Sequence, residues 1–291
     1  MKLTVLTPFY NRNEYIERMY KSLSSQSVKD FQWLVIDDGS KVSPEAEFNK
    51  LKETAPFELD YCRKENGGKH TVLNFSHPYI KGEWVLIMDS DDYLTPDAVE
   101  TFMKYEKKYG DNKEVAVLSF LKGTENNISP VKYPGEETVS DHITFRINSG
   151  LNGDCCEVIR ADVMREFPFP VFEGEKLLIE THLWMSVASK YKTVYINKVI
   201  YMFEYLEDGL TVAGHASRRN NPQGSMYTQK LGLNKRIKLK YRIKRAILLP
   251  YYGHLAGKST GEILRYSEHP FLVGICLLPS FMLYLYEKRK Y

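Results

Sequence analysis

The chain has 291 residues, of which 43% are hydrophobic and 26% are charged, with a net charge of +3 at pH 7. These values are those of an ordinary globular protein with ample core, either one large domain or two small ones, and they exclude a disordered chain. The four cysteines show no CxxC spacing, which predicts reduced thiols in a cytosolic protein. Pro8 and Asn11 cut off the first apolar run, so we expect a strand there and no signal peptide.

The first ninety residues alternate between apolar runs and helical patterns. Strands are predicted over 3–7, 31–40, 57–62 and 84–89, and helices over 14–25, after Pro44 and over 69–80. Because short links join these pieces, we expect a parallel sheet wound by crossover helices. The second half is less regular: it predicts a polar loop over 119–135, strands over 155–159 and 193–197, and a helix over 180–190.

Polar side chains follow each of the four predicted strands. They are Asn11 and Arg12, Asp37 and Asp38, Glu65 and Asn66, and the acids Asp89, Asp91 and Asp92. In open parallel sheets ligands bind at the carboxyl ends of strands, so these side chains predict a site, with a nucleotide as the usual occupant. The alternative is that Asp92 or Thr95 is the N-cap residue of the next helix. Capping would explain the presence of one of the three acids and would leave the other two unexplained. Like charges this close need a cation near them.

The C-terminal part carries a local excess of basic residues. Residues 218–245 contain ten Lys or Arg and no acid, which indicates a polyanionic partner. The pattern over 235–250 fits a strand or a helix. Residues 271–286 are uncharged and precede Lys288; as a helix they would be ~24 Å long, short of the ~30 Å bilayer core. We expect an interfacial segment on anionic lipid and no nucleic-acid partner; a core helix with homodimer contacts is the alternative.

Four motifs occur in a characteristic order: TPFYNR (7–12), DDGS (37–40), ENGGKHTVLN (65–74) and DSDD (89–92). This set resembles the family 2 glycosyltransferases of GT-A fold. EGEKLLIETHLW (173–184) and DGLTVAG (208–214) extend the resemblance toward bacterial members that build surface glycans. It implies an α/β fold with a Rossmann-like, mostly parallel sheet, an abutting acceptor half and a C-terminal helical extension. The implied units are a nucleotide-sugar half (1–118), an acceptor and catalytic half of the same domain (119–215) and a membrane-associating extension (216–291).

The resemblance also implies roles for single residues. Tyr10 matches the aromatic residue that stacks on uracil, Asp38 the acid that accepts from the base N3–H, and Lys69 a cation near the nucleotide. DSDD matches the DxD element, in which Asp91 would bind Mn²⁺ or Mg²⁺ and Asp89 the ribose or the metal. The remaining matches to nucleotide-binding positions are Thr7, Pro8, Arg12, Gly68, Asn74 and Ser90.

Catalysis is expected to need a carboxylate base. Glu180 matches the family's catalytic acid, although Thr181 stands where the family often has a second acid; Asp154 is the other candidate. A helix-N-terminal acid is the structural alternative for Glu180. Trp184 would either stack on an acceptor sugar or belong to the core. A mobile polar loop is expected over 207–224. Three of its side chains, His215, Arg218 and Arg219, would close over the diphosphate.

These expectations add up to an inverting, metal-dependent glycosyltransferase of cell-surface polysaccharide or capsule synthesis. It would move a sugar from a nucleoside-diphosphate sugar, UDP-linked, to a lipid-linked glycan, as a cytoplasmic protein peripheral on the inner face of the membrane. No Q-x-x-R-W motif of processive polymerases occurs, so one sugar per visit is expected. The alternatives are a nucleotidyltransferase, whose Gly-rich signature is missing, and a non-catalytic nucleotide-sugar or glycan-binding subunit. No dinucleotide-binding or P-loop motif is found.

Overall fold

The computed structural model describes residues 1–124, 129, 131–151, 153–204 and 214–290, without the side chains of three of them (215, 289 and 290). Within these residues a nine-stranded sheet forms the centre. Its strands are β1 (Leu3–Phe9), β2 (Phe31–Asp37), β3 (Glu58–Arg63), β4 (Trp84–Ile87), β5 (Tyr93–Leu94), β6 (Val115–Gly123), β7 (Glu137–Ser140), β8 (Cys155–Arg160) and β9 (Lys192–Met202). The helices before the C-terminal part are α1 (Ile16–Ser24), α2 (Glu45–Lys52), α3 (Lys69–Ser76), α4 (Ala98–Tyr109), α5 (Ala161–Glu166) and α6 (Thr181–Val187).

The sheet has the order β3-β2-β1-β4-β8-β6-β9-β5, with β7 added on β9. The pairings among β1 to β4 are all parallel, as the sequence predicts. The sheet then changes direction, because β8 is antiparallel to both β4 and β6. The carboxyl ends of β1, β2, β3 and β4 therefore meet at one edge, where the polar residues that follow them are brought together.

The core lies on both faces of the sheet. One face packs against α1, α2 and α4 through residues such as Met19, Phe48 and Phe102. The other face packs against α3, α5 and α6 through residues such as Val72 and Leu183. Every residue of β2 is buried, including the polar Gln32 and Asp37, which is typical of a strand covered on both sides.

Two local expectations need correction. The predicted loop over 119–135 begins too early, because β6 continues to Gly123 and pairs with both β8 and β9. Polar Ser119 is buried there and gave a false loop signal. Helix α4 is preceded by Asp97, so neither Asp92 nor Thr95 is its N-cap residue. Capping therefore explains none of the three acids of DSDD.

The C-terminal part is helical. It consists of α7 (Gly214–Asn220), α8 (Pro222–Leu231), α9 (Leu239–Leu255), α10 (Thr260–Tyr266), α11 (Pro270–Ile275) and α12 (Leu277–Lys290). The ambiguous run over 235–250 is thus a helix from Leu239. The polar loop expected over 207–224 is wrong for its second part, which forms α7 and the start of α8; residues 207–213 lie outside the described residues. No helix in the described part of the chain is long and apolar enough to cross a bilayer.

Candidate active site

A cavity of about 850 Å³ opens at the carboxyl ends of β1, β2 and β4. Most of the predicted site residues line it: Pro8, Tyr10, Arg12, Asp38, Gly68, Lys69, Asp89, Ser90, Asp91 and Asp154. The parallel register brings residues separated by eighty positions in sequence to one wall. Tyr10 as a whole residue is 43% exposed, so part of an aromatic residue is accessible at this wall.

Two lysines lie against part of the acid cluster. The ammonium of Lys69 forms an ion pair with Asp89, and Lys122 Nζ lies 3.6 Å from Asp89 Oδ2 and 3.9 Å from Asp92 Oδ2. Burial disfavours the ionised form of Asp89, but the charges of Lys69 and Lys122 outweigh burial and lower its pKa. Asp89 is therefore a carboxylate held between two cations.

Asp91 and Asp92 have the opposite electrostatic environment. Burial raises the pKa of Asp91, and the charge of Asp89 raises it further. Burial and the same Asp89 charge also raise the pKa of Asp92, against a smaller opposing effect of Lys122. The backbone of this turn is held by Arg18, whose guanidinium donates to the Asp91 carbonyl oxygen. Asp91 thus lines the cavity as a carboxyl whose ionised form is disfavoured, because the nearby positive charges do not offset burial and the Asp89 charge.

Lys69 also contacts the candidate base. Its Nζ lies 2.7 Å from Glu180 Oε1, in addition to its ion pair with Asp89. Burial disfavours the charged ammonium, yet the charges of Asp89 and Glu180 outweigh it and raise the pKa of Lys69. Glu180 itself directly precedes α6. One cation therefore links the acid cluster at the end of β4 to the candidate base before α6.

Asp38 organises the loop after β3. Its Oδ1 accepts hydrogen bonds from Lys64 Nζ at 2.7 Å and Gly67 N–H at 3.0 Å. Its Oδ2 accepts from Asn66 Nδ2 at 3.1 Å and Gly68 N–H at 2.7 Å. Each carboxylate oxygen thus already has two donors, and the side chain is 6% exposed. The role of Asp38 toward a base N3–H stays a prediction.

Two features require glycine at position 68: the backbone conformation and the close approach of Lys176. It has φ +89°, and a Cβ there would lie far inside contact distance of the Lys176 carbonyl oxygen. We expect Gly68→Ala to lower the free energy of unfolding by at least about 3 kcal/mol, since backbone strain and a backbone clash add. Gly174→Ala is the matched control, because Gly174 has φ +75° with nothing near a Cβ; its cost should be about 1 kcal/mol. Urea unfolding measures both, and equal losses would contradict the packing argument.

Several predicted site residues lie away from the cavity. Thr7 is buried and its hydroxyl accepts a hydrogen bond from Trp33 Nε1 at 3.0 Å. Asn74 makes two 2.8 Å hydrogen bonds with the backbone of Phe169, so it joins α3 to the chain before α6. Trp184 is half-buried and packs against the core on the α3, α5 and α6 face. Nucleotide binding by Thr7 and Asn74 and acceptor stacking by Trp184 stay predictions, and their contacts here are structural.

The three residues expected over the diphosphate are on α7. Arg219 forms an ion pair with Glu287 of α12 at 3.1 Å, and neither Arg218 nor Arg219 lines the cavity. The side chain of His215 lies outside the described part of the structure. Ser217 of the same helix does line the cavity. Diphosphate binding by His215, Arg218 and Arg219 therefore stays a prediction.

Sequence reasoning missed the contribution of the C-terminal part to the site. Asn221 Oδ1 accepts hydrogen bonds from the backbone N–H groups of Lys176 and Leu177, at 2.8 and 3.1 Å. In return, both carboxylate oxygens of Glu175 accept backbone N–H groups at the start of α8, at 2.7 and 2.8 Å. Lys176, Leu177 and Asn221 all line the cavity. Residues beyond 216 thus build one wall of the site.

Lys122 was missed for a different reason. The sequence predicts a polar loop here, whereas Lys122 lies next to the last residue of an apolar strand, with its ammonium 4.1 Å from the centre of the Tyr201 ring. A single lysine at the end of the apolar run AVLSFL was the available signal. It adds a second cation to the acid cluster.

A divalent cation is compatible with this wall. In residues 1–124, 131–151, 153–204 and 214–288, no three His, Cys, Asp or Glu side chains are grouped as a complete metal site. Asp89 and Asp91 nevertheless offer two carboxylates to the cavity, and a bound cation would offset the burial and the Asp89 charge that raise the pKa of Asp91. Hard cations prefer such oxygen ligands, and phosphate oxygens of a ligand could complete the set.

The fold and the site define an α/β protein in which strand ends converge on a cavity lined by an acid cluster, two lysines and the separate carboxylate of Asp154. Residues 4–165 match the sequence model of Glycosyl transferase family 2. The chain belongs to this family, so the resemblance noted in the sequence is confirmed.

Similar proteins share parts of this chain. It is 34% identical over 113 residues to the uncharacterized glycosyltransferase MG060 of Mycoplasma genitalium (37% of this chain, 38% of that protein). It is 35% identical over 102 residues to the chondroitin synthase of Pasteurella multocida (35% and 10%). It is 22% identical over 232 residues to the minor teichoic acid biosynthesis protein GgaB of Bacillus subtilis (75% and 24%). The chain thus spans less than two-fifths of the length of these relatives.

Solved structures show the same fold. TarS 1–349 of S. aureus in complex with UDP-GlcNAc has a TM-score of 0.65 and 18% identity, over 91% of this chain and 75% of that one. The mannosyltransferase PcManGT of Pyrobaculum calidifontis in complex with GDP-Man and Mn²⁺ has a TM-score of 0.59 and 18% identity, over 99% and 88%. The expected GT-A fold is confirmed.

Proposed function

We propose that this chain is an inverting, non-processive glycosyltransferase that moves one sugar per encounter from a UDP-linked donor to a glycan acceptor. One observation carries the proposal: Lys69 contacts both Asp89 of the acid cluster and Glu180 before α6. Asp89 is expected to lie at the donor diphosphate, and Glu180 is expected to deprotonate the acceptor. The Lys69 side chain alone separates these two carboxylates. A binding subunit would have no need of that arrangement.

Donor binding would use the cavity wall formed by β1, β2 and β4. The exposed Tyr10 ring would stack on the base, since a flat apolar face suits a nucleobase. Lys69, Lys122 and Arg12 would meet the diphosphate charge at the same wall. Asp91, with Asp89, would hold Mn²⁺ or Mg²⁺, which when bound supplies Lewis-acid stabilisation of the leaving group.

The chemical step would use Glu180 as general base. Its carboxylate takes the proton of the acceptor hydroxyl as the acceptor oxygen bonds to the anomeric carbon, on the face opposite the diphosphate. The bond from that carbon to the phosphate oxygen breaks, and its electron pair leaves with the nucleoside diphosphate. Diphosphate oxygens would compete for Lys69, which leaves the Glu180 carboxylate available to the acceptor. Asp154, which lines the cavity, is the second candidate for this role or an acceptor contact.

The acceptor is proposed to be a lipid-linked glycan in the synthesis of a cell-surface polysaccharide, with the enzyme peripheral on the inner face of the membrane. Support comes from the similarity to GgaB, named as a minor teichoic acid biosynthesis protein, and to a chondroitin synthase. The basic C-terminal part also favours an anionic surface.

A donor-hydrolysis screen tests the proposed function. The full chain is incubated with UDP-glucose, UDP-GlcNAc, UDP-galactose and GDP-mannose, with Mn²⁺, Mg²⁺ or EDTA, and released nucleoside diphosphate is counted. We expect release from a UDP-sugar that depends on the divalent cation. Binding of UDP without any turnover would favour the non-catalytic subunit. Release of pyrophosphate from UTP and a sugar phosphate would favour the nucleotidyltransferase.

A further inference from the structure

The outer face of α11 and α12 is apolar and uncovered. Large hydrophobic side chains recur at helical spacing on this face: Phe271 (83% exposed), Ile275 (64%), Leu278 (68%), Met282 (64%) and Leu285 (42%). Phe281 and Tyr286 beside them are also more than half exposed. A periodic apolar stripe of this kind on the surface of a folded protein marks an interaction surface rather than scattered exposed residues.

The opposite face of these two helices is held by the protein. Val273 and Cys276 are buried in a core shared with α8, α9 and α10. Tyr284 packs on Tyr251 of α9, and Glu287 forms its ion pair with Arg219 of α7. Because one side is packed against the protein, lipid cannot surround α11 and α12. A membrane could therefore contact only the outer face, with the helices lying in the plane of the surface.

The charge of the surrounding helices identifies the partner. Residues 214–290 contain fifteen Lys or Arg and three Glu, whereas the rest of the chain is acidic overall. The three acids are engaged within the protein: Glu262 in a capping box with Ser259, Glu268 with Lys230 at 2.6 Å, and Glu287 with Arg219. A second copy on the apolar face would bring two strongly basic parts together, which like-charge repulsion opposes. An anionic bilayer supplies the opposite charge.

We infer that the face formed by Phe271, Ile275, Leu278, Met282 and Leu285 docks on the surface of an anionic lipid bilayer. Its apolar side chains enter the boundary between headgroups and acyl chains while Lys and Arg of the same part contact acidic headgroups. The inference rests on the proposed function in one respect: a lipid-linked acceptor gives the enzyme a substrate on that surface. Ser217 of α7 and Asn221, which directly precedes α8, also line the active-site cavity, so the docked part and the site belong to one packed unit.

The test is co-sedimentation of the full chain with vesicles of phosphatidylcholine and phosphatidylglycerol in equal parts, and with phosphatidylcholine alone. The wild-type chain should sediment with the anionic vesicles only. The double variant Leu278→Glu, Met282→Glu should bind at least about tenfold more weakly, since charge enters the apolar face without touching the core. Val171→Glu is the matched control, because Val171 is 61% exposed elsewhere on the molecule, and it should bind like wild type.

Two further measurements separate the outcomes. Donor hydrolysis should be unchanged in the double variant and in the control. If the wild-type chain binds anionic vesicles but hydrolyses no donor, the proposed function is contradicted and the docking inference is not. Analytical ultracentrifugation reports self-association. A wild-type dimer that the double variant converts to monomer, without vesicle binding by either, would overturn the inference and make the face an interface between copies. Failure of the monomeric wild-type chain to bind anionic vesicles would overturn it as well.

Discussion

Glu180→Gln is expected to leave UDP binding intact and to lower donor turnover by about a hundredfold or more, the usual scale for a lost general base. The substitution keeps the size of the side chain and one oxygen near Lys69, but it removes the carboxylate that takes the proton. Lys69 keeps its ion pair with Asp89, so the donor wall should hold. Calorimetry with UDP and single-turnover release of UDP, with glycan or water as acceptor, measure the two effects.

Two variants make this result interpretable. Glu173→Gln changes an exposed glutamate of the same segment and should match wild type. Asp154→Asn changes the other candidate base, which lines the cavity whereas Glu180 does not, and should keep most of the turnover. If Asp154→Asn is the inactive variant and Glu180→Gln turns over normally, the base is Asp154. Glu180 would then be an acid before α6 whose partner is Lys69.

Asp91→Asn should remove the strengthening of UDP binding by Mn²⁺, with a loss of at least about tenfold in affinity in the presence of the metal. The protein should stay as stable as wild type or become slightly more stable. The physical reason is that burial and the Asp89 charge already disfavour the ionised Asp91, and a neutral amide removes that repulsion.

The measurement is calorimetry of UDP binding with and without MnCl₂, beside thermal unfolding of the metal-free protein. Asp111→Asn is the control, since Asp111 is exposed at the end of α4 and the chemical change is the same. If Asp91→Asn retains full Mn²⁺ dependence, the carboxylate does not bind the metal. If UDP binding by the wild-type chain is indifferent to Mn²⁺ and Mg²⁺, the two lysines at Asp89 suffice for the diphosphate.

Local patterns predict the donor half well. The strands β1, β2 and β4 are mostly apolar, β3 is more polar, and helical segments separate all four; the parallel register carries the polar residues at or just after the strand ends to one edge. This works because the information is contained within short stretches: hydrophobic runs set the strands, and the acids directly follow them. The DSDD cluster could be identified as a site because local capping does not explain it.

Short stretches of sequence do not predict the contacts that complete the site, because these contacts join segments that are far apart in the chain. Lys122 reaches Asp89 because β6 continues to Gly123 between β8 and β9, and both partners come later in the chain. Asp38, expected to face a base, is occupied by donors from the loop after β3. The wall made by Asn221 and Lys176 depends on hydrogen bonds between segments forty-five residues apart.

The C-terminal part shows most clearly which properties the sequence determines and which the tertiary structure determines. Its sequence alone establishes an uncharged run beside many basic residues, because composition does not depend on folding. Which side chains of that run are buried depends on packing against α9, which covers Val273 and Cys276 and leaves Phe271, Ile275 and Leu278 outside. Periodicity could not separate these faces, since apolar residues occupy both. Burial is a property of the contacts a side chain finds in three dimensions, and only those contacts divide the run into a core face and a free face.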